Sequence, residues 1–460
     1  MPGAQPETLR QALARADVPA SSVLSDGNLE VSLSEVYRSS PLGPVRRNLA
    51  GKSVLIAVST QIEAALCLID LDGHARRLVL VPPDVRTEAL SAIIRDAEVD
   101  AIVCTDPQSY QHLGVPSLFR CHVKCDPNVP LNGRCRTEWL MLTSGTTGDP
   151  KIAVHTLAGL SGAIPQYQHA TPRPVWATFY DIRRYGGLQI FLRAMFGGAS
   201  LILSRPGEAL ADHLARLEAA KVTHVSGTPT HWRRTLMSAA SNHFHPSYVR
   251  LSGEIVDQGV LDALRAAHPG ASIGHAYAST EAGVGFDVDD GLEGFPASYL
   301  DAPRNGVEIR LVDGALRLRS GRMASAYAGR PDLDLIGDDG FVDTGDMVEI
   351  RQGRCFFVGR RGGIINVGGL KVHPEEIESV INRHDAVRQS RVKPRKSPIL
   401  GAIVVADIVL SRSDDDADAI KQDILALCRA YLPNHKIPAL LNVVTSIEMT
   451  AGGKVSRQHA

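Results

Sequence analysis

The run Thr143-Ser144-Gly145-Thr146-Thr147-Gly148-Asp149-Pro150-Lys151 is poor material for a core and good material for a binding loop. Gly145 and Gly148 admit backbone angles closed to other residues, so the chain can turn tightly and present its N–H groups. Thr143, Ser144, Thr146 and Thr147 add hydroxyl donors, and Lys151 adds a fixed positive charge. Donors plus a cation, with Asp149 as the one carboxylate among them, suit a polyphosphate. The run is not the G-x-x-x-x-G-K-[ST] phosphate loop, because the spacing differs and a proline precedes the lysine. A plain Ser/Thr/Gly surface loop is the alternative, and the rest of the chain weighs against it.

Such a loop needs rigid elements on either side. Glu138 to Leu142 reads as a strand feeding it. Upstream, residues 53–57 and 78–82 read as short buried strands, with an apolar helix from Gln61 to Ile69 between them. A second helix over 86–97 and a strand over 100–104 continue the alternation. Downstream the pattern repeats: a strand at 199–203, a helix from Gly207 to Ala220, a strand at 222–226 and a helix around 229–240. Strands alternating with helices imply parallel α/β layers. Residues 306–319 alternate like antiparallel hairpins. Gly359-Arg360-Arg361-Gly362-Gly363 is basic and glycine-rich, which suits a hinge between domains. Beyond it, Pro374 to His384 reads as helix, Ile399 to Leu410 as strand and Asp416 to Tyr431 as helix, enough for a small α+β domain. The expected division is therefore 1–359 and 360–460.

Further motifs follow the loop in order. Ala276-Tyr277-Ala278-Ser279-Thr280-Glu281 comes after a strand expected at 271–275. Then come Asp343-Thr344-Gly345-Asp346, Gly359-Arg360, the stretch Gly368-Gly369-Leu370-Lys371-Val372-His373-Pro374-Glu375-Glu376-Ile377-Glu378, and Gly452-Gly453-Lys454-Val455-Ser456-Arg457. This series resembles the adenylate-forming superfamily of acyl- and aryl-CoA synthetases, adenylation domains and firefly luciferase. The family patterns are T-S-G-T-T-G-x-P-K, Y-G-x-T-E, T-G-D, G-R, G-G-x-x-V-x-P-x-E-I-E and a terminal G-K-x-x-R. The resemblance covers nearly the whole chain and is clearest over 139–460.

The resemblance implies an α/β fold: a large N-terminal domain of layered α/β subdomains with a β-rich portion, and a small mobile α+β C-terminal domain. It implies ATP, Mg2+ and coenzyme A, or a phosphopantetheine carrier, as reactants and cofactors. Tyr277, just past a strand end, would stack on adenine, with Gly253, Glu254, Ala278 and Ser279 lining the nucleotide. Thr280 offers a hydroxyl to a phosphate. Glu281 would repel a nucleotide unless Mg2+ intervened, and the matching glutamate of the family is a magnesium ligand. Asp346 would accept the ribose hydroxyls, and Arg360 would reach the ribose or phosphate. Lys454 is the sharpest catalytic candidate, because a lysine delivered between carboxylate and phosphate stabilises the charge that builds on phosphorus. The need for delivery explains a separate small domain, and Gly362 is the expected pivot. Gly368 and Gly369 would form the thiol-access loop, with no room for a side chain at the second.

Three departures bear on the acid. A histidine in a segment like P-x-x-H-x-x-G is common in the family; here Thr178 to Gly187 has none. Ala278 replaces the usual glycine, and Gly362 stands where relatives carry Asp or Lys. The acyl pocket is expected from Tyr180, Arg184, Tyr185, Gly187, Ser226 and Thr228; Arg183 or Arg184 would meet a polar or anionic end of the acid, with a structural role for both as the equal alternative. Aromatic or short polar acids fit this set.

Composition sets limits on all of this. With 49 basic and 50 acidic residues the formal charge is −1, so no electrostatic excess calls for nucleic acid or an anionic membrane. No apolar run approaches a membrane span, and Met1 to Glu7 lacks the regions of a signal peptide, so cytoplasm is the default. Seven cysteines without a C-x-x-C pair argue against a disulfide framework, and they make zinc at Cys121, Cys125 and Cys135 the lesser reading. The expected reaction is activation of a carboxylic acid as acyl-AMP, then transfer to a thiol, most simply coenzyme A. Loading of an acyl carrier protein, activation of a different oxyanion and a nucleotide-binding regulator without catalysis are the alternatives.

Overall fold

The computed structural model of the chain describes residues 8–129, 131, 135–143, 150–165, 172–397, 401–411 and 416–449. A six-stranded sheet runs in the order Leu118–Arg120, Ala101–Cys104, Ser53–Ala57, Arg77–Leu80, Glu138–Leu142, Ile152–Thr156. The first five strands are parallel, and the last returns antiparallel to the fifth. Alternate side chains serve opposite cores: Val54, Ile56, Leu78 and Leu80 face one, and Leu55, Val79, Ile102 and Leu140 the other. That double burial explains why these strands read as continuous apolar runs in the sequence. The helix Gln61–Leu71 starts at a capping box between Thr60 and Glu63, and every one of its residues is buried. Its Asp70 is held by Arg10 at 2.5 Å, Ser40 at 2.5 Å and Arg46 at 2.8 Å, so the buried charge is compensated.

An eight-stranded sheet lies alongside, in the order Gly283–Val288, Ser272–Ser279, Tyr248–Ser252, His224–Gly227, Val175–Thr178, Ser200–Ile202, Val23–Ser25, Glu30–Ser32. Its six inner strands are parallel, and both edge strands are antiparallel to their neighbours. A five-stranded antiparallel sheet follows, in the order Phe295–Pro296, Arg354–Arg360, Val342–Arg351, Ala315–Ser320, Val307–Val312. The last part of the chain builds a separate core. Ile377, Val380 and Ile381 of the helix Pro374–Ile381 and Ile424 and Cys428 of the helix Ala417–Tyr431 pack there. They meet Val392, Val404 and Ile408 of the sheet Val387–Ser397, Gly401–Leu410, Leu440–Val443.

The fold is thus α/β layers plus a β-rich portion and a small α+β portion. Several expected bounds move. The strand expected at 271–275 runs on through Ser279 and pairs with a return strand the sequence did not announce. The helix expected over 229–240 stops at Leu236, and that expected to His384 stops at Ile381. Arg360 closes a strand of the five-stranded sheet, so the break from that sheet falls at the single turn Arg361–Gly363, which contains Gly362. No helix among the described residues is long and apolar enough to cross a membrane.

Candidate functional site

The phosphate-loop candidates Ser144, Gly145, Thr146, Thr147 and Gly148 lie outside the described residues, as does Lys454. The flanks of the loop are clear. Leu142 pairs with Ile152 in an antiparallel ladder, and the Thr143 N–H donates to the Lys151 carbonyl at 2.9 Å. The loop therefore closes a hairpin between two sheet strands, which fixes where Lys151 leaves it.

A third backbone segment joins this hairpin. The Ser325 N–H donates to the Val154 carbonyl at 2.8 Å, Val154 to Ala326 at 3.0 Å and Ala328 to Ile152 at 2.8 Å. These rungs set Tyr327 opposite Ala153. The Tyr327 ring then lies under the Lys151 ammonium, 5.0 Å from Nζ to the ring centroid. Burial, and then the negative charge of the neighbouring Glu281 carboxylate, push the Tyr327 phenol up to about 12. A cavity of about 320 Å³ opens beside Lys151 and Tyr327, walled by Arg317, Asp343, Phe341 and Leu335.

Thr280 and Glu281 sit where the eight-stranded sheet turns from Ser279 to Gly283. His155, on the next sheet, holds this turn: its Nε2 meets the Thr280 carbonyl at 2.7 Å. Burial lowers this imidazole to about 4, so at neutral pH it is uncharged and Nε2–H is the donor. Its Nδ1 has no hydrogen-bond partner among the described residues.

Tyr277 points at Asp346, its hydroxyl donating to Oδ2 at 2.5 Å. Arg360 reaches the other oxygen, Nε to Oδ1 at 3.1 Å, and also donates to the Thr344 carbonyl at 2.9 Å. Burial and then the Asp346 charge hold the Tyr277 phenol well above its ordinary range. The ring lies nearly parallel to Phe357 at 5.2 Å and 8°, and to Phe286 at 5.5 Å and 18°. Its aromatic contacts in the structure are thus two phenylalanines of the fold. The turn before Asp346 is shaped by Gly345, with φ of +70°, whose N–H donates to Asp343 at 2.9 Å. Lys151 and Glu281 thus neighbour Tyr327, while Tyr277, Asp346 and Arg360 form a second set whose Arg360 charge reaches the Tyr327 phenol.

The residues expected to line an acyl pocket divide into two groups. Tyr180, Ser226 and Thr228 lie, together with Ser252 and the nucleotide candidate Glu254, at or just past the carboxyl ends of adjacent parallel strands, the usual place for ligands in such sheets. The Tyr180 hydroxyl donates to the Ser252 carbonyl at 2.6 Å, and its ring meets His231 edge-on at 5.7 Å. Glu254 accepts from the Thr230 N–H at 3.0 Å, at the start of the helix Pro229–Leu236, which Thr228 caps. Gly253 adopts φ of +83° beside it. Gly187 is fixed by packing, because a Cβ there would lie 2.2 Å from the Asp181 carbonyl. Tyr185 is buried against His155, with ring centroids 5.7 Å apart.

The two arginines behave otherwise. Arg183 is 1% exposed, and its guanidinium is engaged by Asp181 at 2.8 and 2.6 Å and by the Val58 carbonyl at 2.5 Å. Arg184 is paired with Asp84 at 2.5 Å. Both stitch one α/β layer to the other, as the structural reading of the pair expects. The signal was present in the sequence as Asp181, two residues before Arg183.

Gly368 and Gly369 form the two-residue turn between the strands Ile365–Val367 and Leu370–Val372, with φ of +58° and +86°. Positive φ at both central residues is what such a hairpin turn demands. A Cβ on Gly369 would meet no atom of the chain within 4 Å, so within the protein itself backbone angle rather than crowding calls for glycine. All seven cysteines are free thiols, and among the described residues no cluster of three metal-binding side chains occurs. Cys121 packs in the core with its Sγ 3.5 Å from that of Cys67.

Sequence reasoning missed Tyr327 and His155. None of the motifs quoted above includes Tyr327, and its place beside Lys151 arises from long-range pairing. His155 had a faint signal, a lone imidazole in the apolar strand Ile152–Thr156.

Comparison with known proteins bears on this arrangement. The family model "AMP-binding enzyme" matches residues 50–320, and "AMP-binding enzyme C-terminal domain" matches 376–454. The 2-succinylbenzoate–CoA ligase of Salmonella typhimurium is 31% identical over 286 residues, 61% of this chain and 59% of that enzyme. The enzyme of the same name from Escherichia coli is 29% identical over 391 residues, 82% of this chain and 81% of its own. Among solved structures, the anthranilate CoA ligase AuaEII in complex with anthranoyl-AMP superposes with a TM-score of 0.80 at 18% identity, covering 98% of this chain and 96% of that one. The o-succinylbenzoate CoA synthetase from Bacillus subtilis in complex with its acyl-adenylate intermediate gives 0.77 at 18% identity, covering 98% of each chain. The structural likenesses bear on the fold.

Proposed function

The chain belongs to the AMP-binding enzyme family, and on that premise we propose that it is an AMP-forming acid–thiol ligase. The observation that supports the reading is that Lys151 and Glu281 neighbour Tyr327 while Arg360, paired with Asp346 beside Tyr277, acts on the same phenol. In the first step a carboxylate oxygen of the acid attacks the α-phosphorus of ATP. The bond to the β-phosphate breaks, and pyrophosphate leaves with its electron pair. In the second step a thiolate sulfur, most simply that of coenzyme A, attacks the acyl carbon, and AMP leaves. Lys151 faces the phosphates from the end of its hairpin, and Asp346 receives the ribose. Lys454 supplies positive charge to the first step from a C-terminal domain taken to begin at the turn Arg361–Gly363.

Glu281 belongs to no group of three metal-binding side chains among the described residues. That donor set fits Mg2+, which keeps waters and binds through one or two carboxylates plus substrate phosphates. Bound there, Mg2+ would neutralise charge on the leaving pyrophosphate.

The acid is placed at the strand ends around Tyr180, Ser226, Thr228 and His231. Phe179 stacks on His231 at 5.3 Å and meets Trp232 edge-on, giving that region an aromatic character. This favours an aromatic or short polar acid, in keeping with the names of the two ligases above. The reaction is placed in the cytoplasm.

The test is acid-dependent exchange of pyrophosphate into ATP across a panel of aromatic, short polar and fatty acids, followed by addition of coenzyme A. Exchange with at least one acid and a thioester on adding coenzyme A is expected. Exchange without a thioester would shift the acceptor to a carrier-protein thiol. No exchange with any acid, with ATP bound, would turn the reading toward a nucleotide-binding regulator.

A further inference from the structure

We propose that Tyr327 is a positioning residue that holds Lys151 and Glu281 in their working places by its ring face and its hydroxyl. The inference rests on the proposed adenylating reaction and adds a residue that no motif marks. Three observations carry it. The backbone rungs between residues 325–328 and the strand Ile152–Thr156 fix the register of Tyr327 next to the loop's exit. The ring lies 5.0 Å from the Lys151 ammonium. The hydroxyl neighbours the Glu281 carboxylate, whose charge acts on the phenol, and Glu281 comes from the turn of a different sheet.

The physical need is clear from charge. Lys151 and Glu281 carry opposite charges and neighbour the same residue. Left alone, they would pair with each other and be less available to phosphate oxygens and to a cation. An aromatic face attracts an ammonium without neutralising it. A phenol donor orients a carboxylate while leaving lone pairs open, since an ionised carboxylate has about four acceptor sites. One side chain therefore keeps both groups charged, aimed and apart. The adjacent cavity of about 320 Å³, into which Lys151 and Tyr327 both face, leaves room for a polar ligand at this place.

Two variants separate the two functions of the side chain. Tyr327→Phe keeps the ring and removes the donor. Tyr327→Leu removes both. ATP affinity is measured by calorimetry at a series of Mg2+ concentrations, with pyrophosphate exchange and thermal unfolding recorded beside it. For Tyr327→Phe the Mg2+ concentration giving half the full ATP affinity is expected to rise about tenfold, the scale of one hydrogen bond to a charged group. ATP affinity without Mg2+ should stay near wild type. For Tyr327→Leu, affinity without Mg2+ should also fall, about three- to tenfold, as the ammonium loses its support. A Mg2+ dependence and an ATP affinity equal to wild type in both variants would overturn the proposal, as would a change confined to the melting temperature. If wild type binds ATP but exchanges pyrophosphate with no acid, the proposed reaction falls while the calorimetric comparison still decides on Tyr327. A wild-type chain that binds no ATP overturns both.

Discussion

Asp346 and Arg360 stand opposite each other on neighbouring antiparallel strands, and the guanidinium Nε lies 3.1 Å from one carboxylate oxygen. The other oxygen accepts from Tyr277 at 2.5 Å. The carboxylate is thus oriented from two sides before any ligand arrives. Arg360 is 56% exposed, so the pair adds little stability and its value is in direction.

Asp346→Ala should therefore weaken ATP binding about tenfold or more, because charge-assisted hydrogen bonds to the ribose would be lost. The melting temperature should move little. Calorimetric titration of ATP decides; unchanged affinity removes Asp346 from the ribose site.

Lys454→Ala should nearly abolish acyl-AMP formation and leave ATP binding largely intact. By analogy with loss of one transition-state donor, the cost is about 3 kcal/mol or more. Thioester formation from supplied acyl-AMP should be spared. Equal loss of both half-reactions would count against delivery of this lysine to the first step alone.

Arg183→Met should destabilise the fold by about 3–5 kcal/mol, since a half-buried Asp181 would lose its partner. Arg184→Met breaks a more exposed pair and should cost under about 1 kcal/mol. Neither should alter which acids are activated. Denaturant titration and the acid panel check this, and a changed acid preference in either variant would return the arginines to the pocket.

The layered α/β plan was legible because doubly buried strands and amphipathic helices leave local patterns. Ser53–Ala57 occurs where expected, and the helix from Gln61 continues only two residues past Ile69. The return strand Gly283–Val288 was not legible: Gly283 and Gly285 interrupt its alternation, and its partner lies just across a turn. Motif order located Glu281 and Asp346, but it could not show what surrounds them. The Tyr277–Asp346 contact joins residues 69 positions apart, and Tyr327 gains its meaning from strand 152–156. Such relations depend on how sheets pack, which no local run of residues encodes.

Gly369→Ala should destabilise the small C-terminal core by about 1–2 kcal/mol through its left-handed backbone alone. Gly369→Asn should cost less, because asparagine tolerates that region. Thermal unfolding reads the difference. A selective loss of the thiol step in Gly369→Asn, with stability near wild type, would instead assign the turn to the thiol's approach.

Stability should fall as the pH drops from about 6.5 toward 4. Burial lowers His155 to about 4, and it lowers His213 to about 4 despite the adjacent Glu208. In this window the unfolded chain binds protons that the folded chain refuses, so protonation favours unfolding. Asp72, raised by burial to about 6, works in the opposite direction and offsets part of the loss. His155→Gln should flatten the dependence by about 1.4 kcal/mol per pH unit, the weight of one proton. Urea titrations at pH 7, 6 and 5 measure the slopes, and equal slopes for wild type and variant would rule out a neutral His155.

The residues gathered around Tyr327 belong to three sheets: Lys151 adjoins the six-stranded one, Glu281 the eight-stranded one, and Asp346 and Arg360 the five-stranded one. A nucleotide seated there would act as mortar in a three-way joint rather than as cargo in one wall. Its grip would be distributed over three sheets that already share cores, since Val54 and Trp176 belong to one cluster and Ala153, Phe286 and Val307 to another, so loosening one sheet would disturb the ligand. At a hundred times its dissociation constant, such a ligand adds about 2.7 kcal/mol to the whole assembly. With a nucleotide so seated, occupancy and the cohesion of the three sheets would be one quantity read in two ways.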